Sequence, residues 1–252
     1  MPTTKVSLTK ELAVKGKEFS ENLHMWNIEV FNKWHNAGYP YLTILMATNL
    51  KWSGHAKNND EFLDVAIPWF ESNDPLDPQI VADYKQYLGG EALQRAMYGL
   101  RTLKNNLVNI TPDFRTCGTK EILQYQEQAL RKAIRLIDTS QMSGVGAWLF
   151  LGIFKILLSI ETRLWDAPNI DSVCLPSGRE VIRGIYRLRS EAPGSSRFDL
   201  NWLSDVEPGL KCGYTTEALI HDECKNIAKQ NDTIAMHINS ALYLYGRKEI
   251  DL

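Results

Sequence analysis

Long apolar runs are missing from this 252-residue chain. No stretch reaches the roughly 18 apolar residues that a membrane helix needs. The strongest candidate, Trp148 to Ile160, is too short and carries Lys155. It predicts a helix buried on nearly all sides. The N-terminal segment from Met1 to Ser7 has no apolar core of the kind a secretory signal carries. The expected location is the cytosol, cytoplasmic, with no membrane partner. Cysteine is scarce: Cys117, Cys174, Cys212 and Cys224 are widely spaced and form no CxxC pair. They predict reduced thiols rather than a disulfide framework. Nucleotide and hydrolase signatures are absent too: no Walker loop, dinucleotide fingerprint, GxSxG or HExxH occurs. His221 and Cys224 are spaced to meet on a helix, but two ligands make no metal site. No metal and no cofactor is expected. The formal net charge of −2 excludes a protein that coats nucleic acid indiscriminately, though not one with a local basic face.

What is present is helical periodicity. From Lys10 to Trp34, Leu12, Phe19, Leu23, Trp26, Val30, Phe31 and Trp34 recur mostly at helical steps. Gly38 and Pro40 stop that helix. Further helices are expected over Tyr41 to Trp52, Asp60 to Phe70, Ile80 to Leu88 and Glu91 to Leu107. More follow over Glu121 to Asp138, Trp148 to Thr162, Arg179 to Arg189, Thr215 to Gln230 and Thr233 to Tyr245. No run alternates at period two, and no repeat or linker is visible. The expected fold class is all-α, a single unit over residues 1–252 with C-terminal helices at about 215–245.

Between two of these helices stands Gly144-Val145-Gly146. Glycines permit a tight reversal and close approach of a large anion. The free amides of the following helix start favour negative charge. A DNA phosphate fits there, through backbone alone and without sequence information. Trp148 follows in the next turn. Twenty positions after Gly146 lies Asp166, preceded by Trp165. A carboxylate beside a sugar C1′ can stabilise an oxocarbenium-like ion and orient water. Asp171 competes for that role.

A second string runs from Cys174 through Pro176, Ser177 and Gly178 into Arg179. Arg179, Arg183 and Arg187 recur every fourth residue and share one helix face. Val181, Ile182, Ile185 and Leu188 take the other. Between Arg179 and Arg197 five arginines stand against two glutamates. An arginine stripe at a helix start suits phosphate or pyrophosphate, which guanidinium binds bidentately.

The hairpin at about residues 121–162, with an aspartate at that distance, resembles the helix-hairpin-helix DNA glycosylase superfamily. The Pro176 to Arg179 string is similar to the branch of α-glutamyl/putrescinyl-thymine pyrophosphorylase-like proteins of modified phage DNA. The likeness covers roughly Glu121 to Leu188. It implies two helical lobes with a cleft between them and a DNA partner carrying modified bases. It implies Asp166 as the catalytic carboxylate, with Asp171 as its competitor. The DNA-binding residues would be Gly144, Val145, Gly146, Trp148, Arg179, Arg183 and Arg187, and the substrate-binding residues Trp165, Ser177 and Gly178. Family members with lyase activity place a lysine where Trp148 stands. The likeness therefore implies excision without a Schiff base, or another reaction at the same site, such as substitution of an amine for pyrophosphate on an activated hydroxymethyl pyrimidine. The four-cysteine loop of many members has no counterpart, so no iron–sulfur cluster is expected. A non-enzymatic all-α binding or viral structural protein, in which the glycines form a plain turn, is the remaining alternative.

Overall fold

The computed structural model describes residues 3–52, 59–72, 82, 91–189 and 216–250. The expected helix over Ile80 to Leu88, apart from Ala82, lies outside the described residues. Among those described, all regular structure is helical: α1 (Thr3–Asn36), α2 (Tyr41–Trp52), α3 (Asn59–Glu71), α4 (Glu91–Leu107), α5 (Thr119–Asp138), α6 (Gly144–Ile160), α7 (Arg179–Arg189), α8 (Thr216–Gln230) and α9 (Ala235–Arg247). None is long and apolar enough to cross a membrane. The chain forms two compact units. One comprises Met1–Trp26 and Thr162–Leu252, the other Asn27–Glu161. α1 contributes its first part to one and its last part to the other.

In the Asn27–Glu161 unit, α2 and α6 are the central helices. Ile44, Leu45, Met46 and Ala47 are all fully buried, which a helix shows only when it is packed on every side. α6 buries Leu149 to Phe154 in the same way. α2 packs on α3 and α6, and α4 on α5 and α6. Asn49 reaches across to α6, where its side-chain amide donates to the carbonyl of Leu149. It can do so because Gly152 leaves space; a Cβ there would collide with the Asn49 amide. A second buried pair, Asn27 Nδ2 to Ser159 Oγ at 2.6 Å, ties the end of α1 to α6. Lys104 is buried as well, donating to Phe70 O at 2.9 Å and pairing with Glu71. A buried ammonium persists only when it is compensated in this manner.

The other unit is built around α9. Apolar residues of α1, α7, α8 and α9 form one core, including Leu12, Ile182, Cys224 and Ile238. α7 lies unusually close to α9. A Cβ on Gly184 would strike the carbonyl of Leu242, and one on Gly246 would strike the carbonyl of Glu180. Glycine on both surfaces is what permits this approach. The first part of α1 crosses α9 in the same manner, with Gly16 against the carbonyl of His237.

Candidate functional site

The reversal between α5 and α6 is not made by the glycines. Ser140 adopts the left-handed conformation (φ 59), and the amides of Gln141 and Met142 both return to Leu136 O, at 2.8 and 3.1 Å. Gly144, Val145 and Gly146 instead form the first turn of α6. The expected start at Trp148 is therefore four residues late, and the expected Gly-Val-Gly turn is corrected to a helix start. Ser143 is the N-cap: its Oγ accepts the Gly146 N–H at 3.2 Å. That leaves the amides of Gly144 and Val145 as first-turn donors without an intrahelical acceptor. Val145 is 47 % exposed and Gly144 is half-buried. Gly146 faces inward, near Met142 and the carbonyl of Ala96. Trp148 is half-buried. Arg135, exposed in the last turn of α5, supplies positive charge ahead of the reversal.

The loop from Thr162 to Gly178 belongs to the unit around α9. Two short 3-10 turns, Thr162–Leu164 and Ile170–Ser172, shape it. Asp166 lies between them, exposed. Asp171 is engaged elsewhere. Its Oδ1 accepts the Ala235 N–H at 2.7 Å, capping α9 from outside the helix. Its backbone carbonyl accepts from His221 Nε2 at 2.7 Å. One oxygen of this carboxylate is thus committed to a helix start. Trp165 stands edge-on to His237, ring centroids 4.7 Å apart. Its indole is half-buried. Ser177 is fully buried, and Gly178 provides the carbonyl for the first turn of α7, accepting from Ile182 N at 3.2 Å. Asn239 Nδ2 donates to Pro176 O at 3.1 Å, fixing the proline loop to α9.

The arginine stripe divides. Val181, Ile182, Ile185 and Leu188 are buried as expected. Arg183 is exposed, with Glu180 at 4.0 Å. Arg187 is not a free phosphate ligand. Its guanidinium lies 3.8 Å from the centroid of the Tyr245 ring and donates to the Tyr245 carbonyl. A cation at the carbonyl end of α9 also suits the helix dipole. The side chain of Arg179 lies outside the described residues.

The two histidines touching the loop were invisible as a pair in the sequence. His221 reads in the sequence as half of an incomplete metal pair, and His237 stands among unrelated apolar residues. Burial holds the His221 imidazole below its usual pKa, opposed by the Asp171 carbonyl. Burial, assisted by Lys17, pushes His237 down to about 4. No cluster of three metal-ligating side chains exists among the described residues. Comparison with protein-family models, with curated proteins and with solved structures finds no match for this chain.

Proposed function

We propose that this chain binds DNA through the start of α6 and excises a modified base, with Asp166 as the carboxylate that acts on the sugar. The observation that supports the DNA contact is the helix start at Gly144 and Val145, which Ser143 caps and where Val145 is exposed. The amides of a helix start take a phosphate without reading bases. The support for Asp166 is its exposure on a loop whose other acidic residue is already used. The enzyme is then a monofunctional glycosylase of helix-hairpin-helix type. It extrudes a modified pyrimidine, and the Asp166 carboxylate stabilises the oxocarbenium-like sugar as the glycosidic bond breaks. Trp148, where a lysine would form a Schiff base, leaves water as the acceptor.

The test is incubation with a panel of phage DNAs carrying different base modifications, followed by mass spectrometry of what is released. Free modified base together with alkali-labile abasic sites is the expected result. A newly substituted nucleoside with intact glycosidic bonds would transfer the site to base modification. Neither product across the panel would remove the catalytic half of the proposal.

A second reading is favoured by the fate of Asp171 and Arg187. Both make contacts to α9 within their own unit. On this reading the chain is a DNA-backbone binder without chemistry. It gives salt-dependent binding to plain and modified duplexes alike, and no product.

A further inference from the structure

We propose that the loop from Thr162 to Ser177 is an acid-released strap, held to α8 and α9 by two buried neutral histidines that grip it on either side of Asp166. His221, on α8, binds the loop at Asp171 through Nε2 at 2.7 Å. His237, on α9, meets it at Trp165. The residues between those two contacts include Asp166. How this loop is held does not depend on any catalytic role of Asp166.

Hydrogen-bond chemistry makes both rings proton-sensitive. A carbonyl only accepts, so His221 carries its proton on Nε2. Its Nδ1 is buried with no hydrogen-bond partner among the described residues. His237 meets Thr233 Oγ1 through Nδ1 at 2.8 Å, and its Nε2 is likewise buried and unpartnered. A second proton on either ring therefore puts a charged N–H into the interior with nothing to receive it. Moving the loop away lets water reach the ring.

The charged groups around the two rings do not rescue them. Lys17 on α1 acts on His237 and opposes protonation. Asp171 on the loop and Asp222 on α8 favour a charged His221, while Lys225 opposes it, and burial outweighs the carboxylates. The Asp171 carboxylate is already committed to Ala235 N.

Both histidines are bases whose pKa is depressed while the loop is closed. The grip is complete above the ordinary value of about 6.5 and weakens as pH falls toward the closed-state value. For His237 that value is about 4.

Hydrogen–deuterium exchange of the full chain at pH 7.4 and pH 5.0 tests this, with rates corrected for intrinsic exchange. At pH 5.0 the peptides covering residues 162–177 should open about tenfold or more over their pH 7.4 level. Peptides from α6 should change less than about twofold. A uniform response across both regions would overturn the proposal. His221→Gln combined with His237→Phe keeps a nitrogen donor to the Asp171 carbonyl and a ring against Trp165, and removes both titrations. It should hold the loop at both pH values, and an undiminished acid response in this variant would overturn the proposal. If the double variant opens the loop already at pH 7.4, the wild-type histidine ring resonances decide. Titration of the two rings in step with loop opening supports the strap, and titration that leaves the loop closed overturns it.

Discussion

The carboxylate of Asp171 accepts the backbone N–H of Ala235 at 2.7 Å, so a loop residue caps the central helix of its unit from 64 positions away in sequence. Asp171→Ala should destabilise the protein by about 1 kcal/mol, the usual worth of such a cap. Asn, which keeps one amide oxygen, should recover most of it. Urea unfolding of the three proteins measures this. An Ala variant as stable as wild type would mean the bond is idle.

Asp166 should behave in the opposite way. Asp166→Asn removes no hydrogen bond found among the described residues, so its unfolding midpoint should match wild type within about 0.5 kcal/mol. On a DNA that the wild type processes, base release should fall roughly a hundredfold, about 3 kcal/mol of lost charge stabilisation. Full activity in Asp166→Asn with a dead but folded Asp171→Asn would reverse the two roles.

The hairpin needs a probe that leaves its packing alone. Gly146 is a poor one, because it faces Met142 and Ala96. Val145 is exposed and sits in the first turn. Val145→Glu puts a carboxylate where the helix dipole welcomes it and a DNA phosphate is repelled. Thermal stability should hold while affinity for plain and modified duplex falls about tenfold alike, with a shallower salt dependence. Unchanged affinity measured by fluorescence anisotropy would remove this helix start from the DNA contact.

The all-helical class and most helix positions were legible because apolar spacing is a local signal. Tyr41–Trp52, Glu91–Leu107 and Arg179–Arg189 fall where periodicity places them. The start of α6 was missed because glycine reads as a turn, and the capping role of Ser143 depends on where the reversal occurs. Ser140, which makes that reversal, has no glycine to announce it. Roles in the loop were illegible for a different reason. Asp166 and Asp171 are equivalent as isolated letters. What distinguishes them is contact with Ala235 and His221, residues far along the chain. Likewise the arginine spacing showed a shared face but not Tyr245, which claims one member of it.

Two glycines in different surroundings should respond to alanine unequally. At Gly246 the new methyl would collide with the backbone carbonyl of Glu180, which cannot give way without moving α7. The cost should be on the order of 1–3 kcal/mol or more. At Gly146 the nearest neighbour is the flexible end of Met142, 3.2 Å away. Alanine there should be close to neutral, helped by up to about 1 kcal/mol of helix propensity. Denaturant unfolding of both variants checks the contrast. A harmless Gly246→Ala would mean α7 and α9 are less closely packed than the backbone approach implies.

Arg183 and Arg187 share a helix face and should part under the same substitution. Arg183 is exposed beside Glu180 at 4.0 Å, a surface pair worth little. Its alanine variant should lose less than about 0.5 kcal/mol of stability. Arg187 covers the Tyr245 ring and donates to the Tyr245 carbonyl. Removing it ends a cation–π contact and a charge-assisted hydrogen bond at the end of α9, together about 1–3 kcal/mol. Lysine should not replace it, because an ammonium cannot lie flat on the ring while donating beside it. Urea unfolding of Arg183→Ala, Arg187→Ala and Arg187→Lys gives the ranking. A DNA titration of the same three proteins across a salt series then separates binding from stability. If Arg183 touches DNA phosphate, its loss lowers affinity and flattens the salt slope by about one unit, with stability intact. If Arg187→Ala lowered the salt slope while leaving stability unchanged, the Tyr245 contact would be incidental and the arginine face would return whole to the DNA.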